Sequence, residues 1–190
     1  MDFKTMVPGA GGLMSLPADA LLVVLTGDSV PAGLDAPLAA LLTAAVKDGD
    51  LSFKAGQQLY AHRVPGVKAA RVAVVMAGDG SAKALRKAVT SGVALLKGGG
   101  AKQLAVTMVG SAALTEAHAE ALVSAASDAV YVYRQTKPSA PAVSKLDTVG
   151  LVCTKTQSVA LGAALLALPG WRVPVGWIVA VFCVLSEPEP

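Results

Sequence analysis

The sequence is poor in the residues that most often build disulfides, metal centres and polyanion-binding surfaces. Its 190 residues include two cysteines, Cys153 and Cys183, and two histidines, His62 and His118. Two distant cysteines make no disulfide framework, and no Cys or His spacing suggests a zinc site. A reducing, cytoplasmic compartment suits such a chain. Aromatic residues make up 4% and charged residues 15%, so the core has to come from small aliphatic side chains. The net charge of +3, from 16 basic and 13 acidic residues, is too mild to announce a nucleic-acid partner by itself. No secretory leader is legible. Residues 1–16 contain Asp2, Lys4 and several glycines, with no continuous apolar run before Pro17.

What is present points to an ordinary core. Hydrophobic residues reach 54%, far from the polar, highly charged composition of disordered chains. The length suits one domain with an appendage, enough to bury a core without metal or disulfide staples. The run Ala20-Leu-Leu-Val-Val-Leu-Thr26, bounded by Pro17 and Gly27, predicts a buried strand. Residues 37–47 place Leu38, Leu41, Leu42, Ala45 and Val46 on one helical face, with Asp35 as N-cap and Gly49 just past the end. Residues 57–63 alternate and suggest an exposed or antiparallel strand. A second buried strand is expected at 71–76. A helix capped by Ser81 follows over 82–97, turning Leu85, Val89, Val93 and Leu96 inward before Gly98-Gly99-Gly100.

A third buried strand is expected at 103–109. Thr115 then caps a helix to about Ser127, with Leu122 and Val123 on its inner face. Residues 129–133 read as a fourth strand-like run, 135–145 as a polar loop and 148–153 as a last strand. Strands alternating with helices imply crossover units. The expected fold is a three-layer α/β/α sandwich with a mixed, mostly parallel sheet.

Several segments, taken in order, resemble the N-terminal domain of the leucine aminopeptidases, the cytosol aminopeptidase family. They are Ala18-Asp19-Ala20-Leu21-Leu22-Val23-Val24, Leu34-Asp35, Phe53-Lys54-Ala55-Gly56-Gln57, and Arg71-Val72-Ala73-Val74-Val75-Met76-Ala77-Gly78 running into Leu85-Arg86-Lys87-Ala88. Each is a packing or turn pattern, and the ordered set carries the likeness over about residues 1–155. The resemblance implies a macro-domain-like α/β fold and hexameric assembly. It also implies a separate C-terminal catalytic domain that uses two divalent metals, such as zinc or manganese. This chain departs from the family after about Ser158. It has no Asn-Thr-Asp-Ala-Glu-Gly-Arg segment, and beyond residue 150 its only acids are Glu187 and Glu189. A bridged two-metal site needs several converging carboxylates. No catalytic residue, metal ligand or cofactor is therefore assigned to this chain. The expected division is an aminopeptidase N-terminal-like domain at 1–155 and an apolar extension at 156–190.

Two stretches could serve a ligand. Gly78-Asp79-Gly80-Ser81 joins a strand to a helix N-terminus, where backbone N–H groups can hold an anion such as a nucleotide phosphate. Its blander reading, and the preferred one, is a tight turn with a serine cap. It lacks the Gly-Lys-Ser/Thr ending of a P-loop. Lys83, Arg86, Lys87, Lys97 and Lys102 lie in an acid-free stretch between Asp79 and Glu116 and could meet nucleic-acid phosphates. A solvated helix face is the commoner cause. His118 lies two residues from Glu116 and from Glu120, offsets that point away from it on a helix, so metal binding is not expected. Cys153 reads as core. No base accompanies Ser124 or Ser127.

Residues 159–185 are apolar, with Arg172 as the only charge. Pro169-Gly170, Pro174 and the central Arg172 argue against a membrane span. Residues 159–168 read as a short helix and 178–185 as a buried strand or interface segment. Trp171, Trp177, Ile178 and Phe182 would form a large apolar patch if exposed, which predicts burial or oligomerisation. The sequence therefore favours a non-catalytic aminopeptidase domain that supports assembly or regulation, with a homo-oligomer or a catalytic domain as partner. A macro-like nucleotide or ADP-ribose module and a nucleic-acid-binding accessory domain are the alternatives.

Overall fold

A computed structural model describes residues 1–110, 113–131 and 144–167. Six strands form one sheet: β1 (Asp2–Met6), β2 (Ala20–Thr26), β3 (Gln58–His62), β4 (Arg71–Gly78), β5 (Gln103–Val109) and β6 (Thr148–Val152). Four helices accompany them: α1 (Ala36–Asp48), α2 (Ala82–Leu96), α3 (Glu116–Val130) and α4 (Lys155–Ala167). The order across the sheet is β1-β6-β5-β2-β4-β3. Only β3 runs antiparallel, against β4.

The order explains the sequence pattern. β2 lies between β4 and β5, with Val23 opposite Val74 on one side and Thr107 on the other. All seven of its residues are buried, as a central strand of a covered parallel sheet requires. β3 has one neighbour, so its residues alternate between exposed and half-buried.

Two layers cover the sheet. Leu22 and Val24 face a core shared with Leu85, Val89 and Val93 of α2, Leu122 of α3 and Leu161 of α4. Leu21, Val23 and Leu25 face the opposite core, which α1 closes with Leu38, Leu42 and Ala45. Each of these large aliphatic side chains contributes about 1.5–3 kcal/mol by leaving water. Gly92 lets α2 approach β2: a Cβ there would strike the methyl groups of Leu22.

The ends of the elements follow from local chemistry. Gly49 ends α1 in the left-handed region at φ 83°, where glycine carries no Cβ penalty. Asp35 occupies the N-cap position of α1, and its side chain makes no cap bond to the helix. Its carboxylate accepts the Met14 N–H at 3.1 Å instead, tying the segment before β2 to the helix.

The structure adds one element and corrects two expectations. The added element is β1, which pairs in parallel with β6. Residues 129–133 do not begin as a strand, because α3 continues to Val130 and Lys97 Nζ donates to the Ala129 carbonyl at its last turn, at 2.9 Å. The helix expected from residue 159 begins four residues earlier, at Lys155. There Gln157 Oε1 accepts the N–H and hydroxyl of Thr154, at 3.3 and 3.0 Å. Most of the polar loop expected at 135–145 lies outside the described residues. So do Trp171, Arg172, Trp177, Ile178 and Phe182, and the strand or interface segment expected at 178–185.

Candidate functional site

The carboxyl ends of β2, β4 and β5 gather the loops in which open α/β sheets usually bind ligands. The loop 78–81 lies here, between β4 and α2. Ser81 is the N-cap its sequence promised: its Oγ accepts the Ala84 N–H at 3.2 Å. Asp79 supports it. One oxygen of its carboxylate accepts both the N–H and the hydroxyl of Ser81, at 3.1 and 3.0 Å. Those two bonds, the backbone one first, hold the Asp79 carboxyl below its ordinary range. An anion arriving at this loop would meet a carboxylate already bonded to Ser81.

A buried histidine braces the same loop. His118, in the first turn of α3, is 7% exposed. Its Nδ1 accepts the Thr115 N–H at 3.2 Å and lies 2.7 Å from the Thr115 hydroxyl. Nδ1 is thus an acceptor, so Nε2 carries the proton and donates to the Gly80 carbonyl at 2.9 Å. The imidazole links the start of α3 to the loop before α2. Sequence reasoning asked only whether His118 faced carboxylates. The spacing that would have found its role is Thr115-x-x-His118, the i to i+3 geometry of a capping box.

Thr26, at the end of β2, is buried, and its Oγ1 has no hydrogen-bond partner among the described residues. It lies against Gly110, whose φ is 141°.

The five basic residues differ in their contacts. Arg86 bonds Asp128 of α3 at 3.0 Å, with both side chains more than half exposed; such a pair adds little stability. Lys97 is engaged at the end of α3. Lys102 lies at the opposite end of the sheet, beside Asp19. Of the five, Lys83 and Lys87 line a cleft of about 450 Å³. The cleft lies between α2, the carboxyl end of β4 and Ala55-Gly56, and Ser81, Ala84, Ala88 and Ser91 also line it.

Cys153 is buried, and that burial pushes its thiol above the ordinary value, as for an inert core cysteine. Among the described residues no three His, Cys, Asp or Glu side chains converge as metal ligands. The donor set among the described residues does not fit a two-metal centre. No described helix is long and apolar enough to cross a membrane.

Comparison with known proteins places this architecture. Residues 20–139 match the family model described as the cytosol aminopeptidase family, N-terminal domain. A probable cytosol aminopeptidase of Methylibium petroleiphilum is 46% identical over 158 residues, covering 83% of this chain and 32% of that protein. One from a Polaromonas species is 41% identical over 140 residues, covering 72% of this chain and 27% of that protein. This chain therefore spans about a third or less of the length of these relatives. The fold matches a tomato leucine aminopeptidase mutant with a TM-score of 0.64 at 17% identity, over 87% of this chain and 34% of that one. The ordered segments, the mostly parallel sheet and these matches agree: the chain belongs to the cytosol aminopeptidase family, of which it carries the N-terminal domain.

Proposed function

We propose that this chain is a non-catalytic domain that supports the assembly or regulation of a leucyl aminopeptidase-type metallo-exopeptidase in the cytoplasm. One observation carries the reading: the family match falls on the N-terminal domain, while the described residues bring no metal-ligand set together. The partner is a catalytic domain of the same family or further copies of this chain. The two divalent metals of the peptidase reaction belong to that catalytic domain, and no step of the reaction is assigned to this chain. A nucleotide role for the loop at Gly78, Asp79, Gly80 and Ser81 ranks lower, because Asp79 already bonds Ser81 there. A nucleic-acid role ranks lower because Arg86, Lys97 and Lys102 lie apart from Lys83 and Lys87 in their contacts.

The test is hydrolysis of leucine p-nitroanilide by the purified 190-residue chain with added manganese or zinc, alongside light scattering for mass. The expected result is no turnover above a metal-only blank and a mass above that of one chain. Metal-dependent turnover that follows the protein through purification would overturn the non-catalytic reading. A strictly monomeric mass would remove self-assembly and leave a catalytic domain as the partner.

A further inference from the structure

The cleft beside α2 has features that neither a turn nor a solvated helix face requires. Lys83, Lys87 and Ser91 stand four residues apart in turn, so they share one stripe of α2, about 6 Å between neighbours along the axis. All three line the cleft. Among the described residues neither ammonium has an ion-pair or hydrogen-bond partner. Like charges at this spacing repel each other and weaken a helix, so the pair is better satisfied with a shared counter-anion between its members. The floor beneath them is apolar and low. Ala77, Ala84 and Ala88 line it, and alanines here leave room that larger side chains would fill.

We propose that this cleft binds a small amphiphilic anion, an oxyanion head carried on a short apolar body. The head lies against Lys83 and Lys87, since the Ser91 hydroxyl already donates to the Lys87 and Ala88 carbonyls, and the body lies on the alanine floor. The volume of about 450 Å³ falls in the lower range of small-ligand sites, which are mostly apolar with a few placed polar groups. Asp79 also lines the cleft, so the head binds away from that negative charge. Carboxylate and phosphate heads share the required chemistry. The proposal is independent of any role in peptidase assembly, since it rests on the cleft alone.

The test is calorimetric titration of the whole chain in about 0.15 M salt, with amide shift mapping. The four probes are hexanoate, hexyl phosphate, inorganic phosphate and hexanol. At least one amphiphilic anion saturates, moving the amides of Gly56, Gly78 and residues 83–91. Inorganic phosphate and hexanol bind at least about tenfold more weakly, because each lacks half of the required contacts. Which amphiphile binds more tightly identifies the head.

Two variants separate a built cleft from a merely basic surface. The double variant K83E/K87E reverses the charge at two exposed positions and lowers affinity at least about tenfold. Ala84→Leu keeps every charge, fills the floor and lowers affinity by a similar factor. Thermal melts of both variants establish that they are folded. The proposal is overturned if no probe saturates by about 10 mM, if inorganic phosphate binds as well as the amphiphiles, or if Ala84→Leu binds like the parent chain.

Discussion

The two ends of the sheet are held by different chemistry. At the amino ends, one carboxylate joins neighbouring strands. Asp19 accepts the N–H groups of Lys102 and Gln103, at 2.9 and 3.0 Å. Its own backbone bonds the Gln103 carbonyl and the Arg71 N–H, so β2, β5 and β4 are tied at one point. At the carboxyl ends, no charged group bridges these three strands in the described hydrogen bonds and ion pairs. Asp79 acts within its own loop, a neutral imidazole spans two loops, and β2 and β5 meet where Gly110 has no side chain. The difference teaches that at the amino end a charge ties strands together, whereas at the carboxyl end the charge of Asp79 stays within its own loop and the strand ends meet by shape.

The comparison breaks most sharply at Gly110. A Cβ there would run into the backbone carbonyl of Thr26, and at φ 141° a branched residue is strained whatever the space. Gly110→Val is expected to cost about 3 kcal/mol, read as a lower urea midpoint. A parent-like midpoint would mean that the carboxyl end is not sterically fixed. His118→Ala comes next. It leaves the Gly80 carbonyl and the Thr115 N–H without their partner and opens a void, at about 2 kcal/mol. Hydrogen exchange would show whether the loss is local: amides of the loop 78–81 and the first turn of α3 should lose protection before the strands do.

Asp19 tests the other end and carries a pH signature. Backbone hydrogen bonds from Lys102 and Gln103, aided by Arg71 and Lys102 charge, hold its carboxyl below the ordinary 3.8. A carboxyl depressed on folding adds stability above its unfolded value, and that stability is lost as pH falls through the lower folded value. Asp19→Asn keeps an acceptor oxygen and removes the charge. It should cost about 1 kcal/mol at neutral pH, a modest figure because the residue is exposed to screening solvent. The difference from the parent should shrink as pH falls below 3.8. A difference unchanged by acid would mean that Asp19 acts through geometry and not through charge.

Much of this framework is legible in the sequence, and the misses share a cause. β2, β4 and β5 are continuous apolar runs because both sheet faces are covered. α2 announces itself through Leu85, Val89, Val93 and Leu96, all buried. β1 escapes notice because Asp2-Phe3-Lys4-Thr5-Met6 buries only Phe3 and Met6, a pattern too sparse to separate from a polar terminus. Ala129 and Val130 look strand-like by composition, yet both pack partly buried against the α3 side of the core, where tertiary contact overrides propensity. The start of α4 was legible after all, in Thr154-x-x-Gln157. The ligand-site residues were harder. Proximity in sequence grouped five cations, but α2 turns Arg86 toward Asp128 and only Lys83 and Lys87 toward the cleft.

The smallest effect gives the most pointed test of the carboxyl end. Thr26 is 4% exposed and its Oγ1 has no partner among the described residues. A buried hydroxyl without a partner gives up its hydration and receives nothing in return. Thr26→Val keeps the shape of the side chain and exchanges that hydroxyl for a methyl group. The expected outcome is a gain of up to about 1 kcal/mol, seen as a rise in the urea midpoint with an unchanged slope. Asp19 shows the reverse at the amino end, where removing a polar group should destabilise. A loss on Thr26→Val would mean that the hydroxyl is bonded in solution, by an ordered water or a bound group. The contact between the ends of β2 and β5 would then be polar, and the contrast between the two ends would narrow to charge alone.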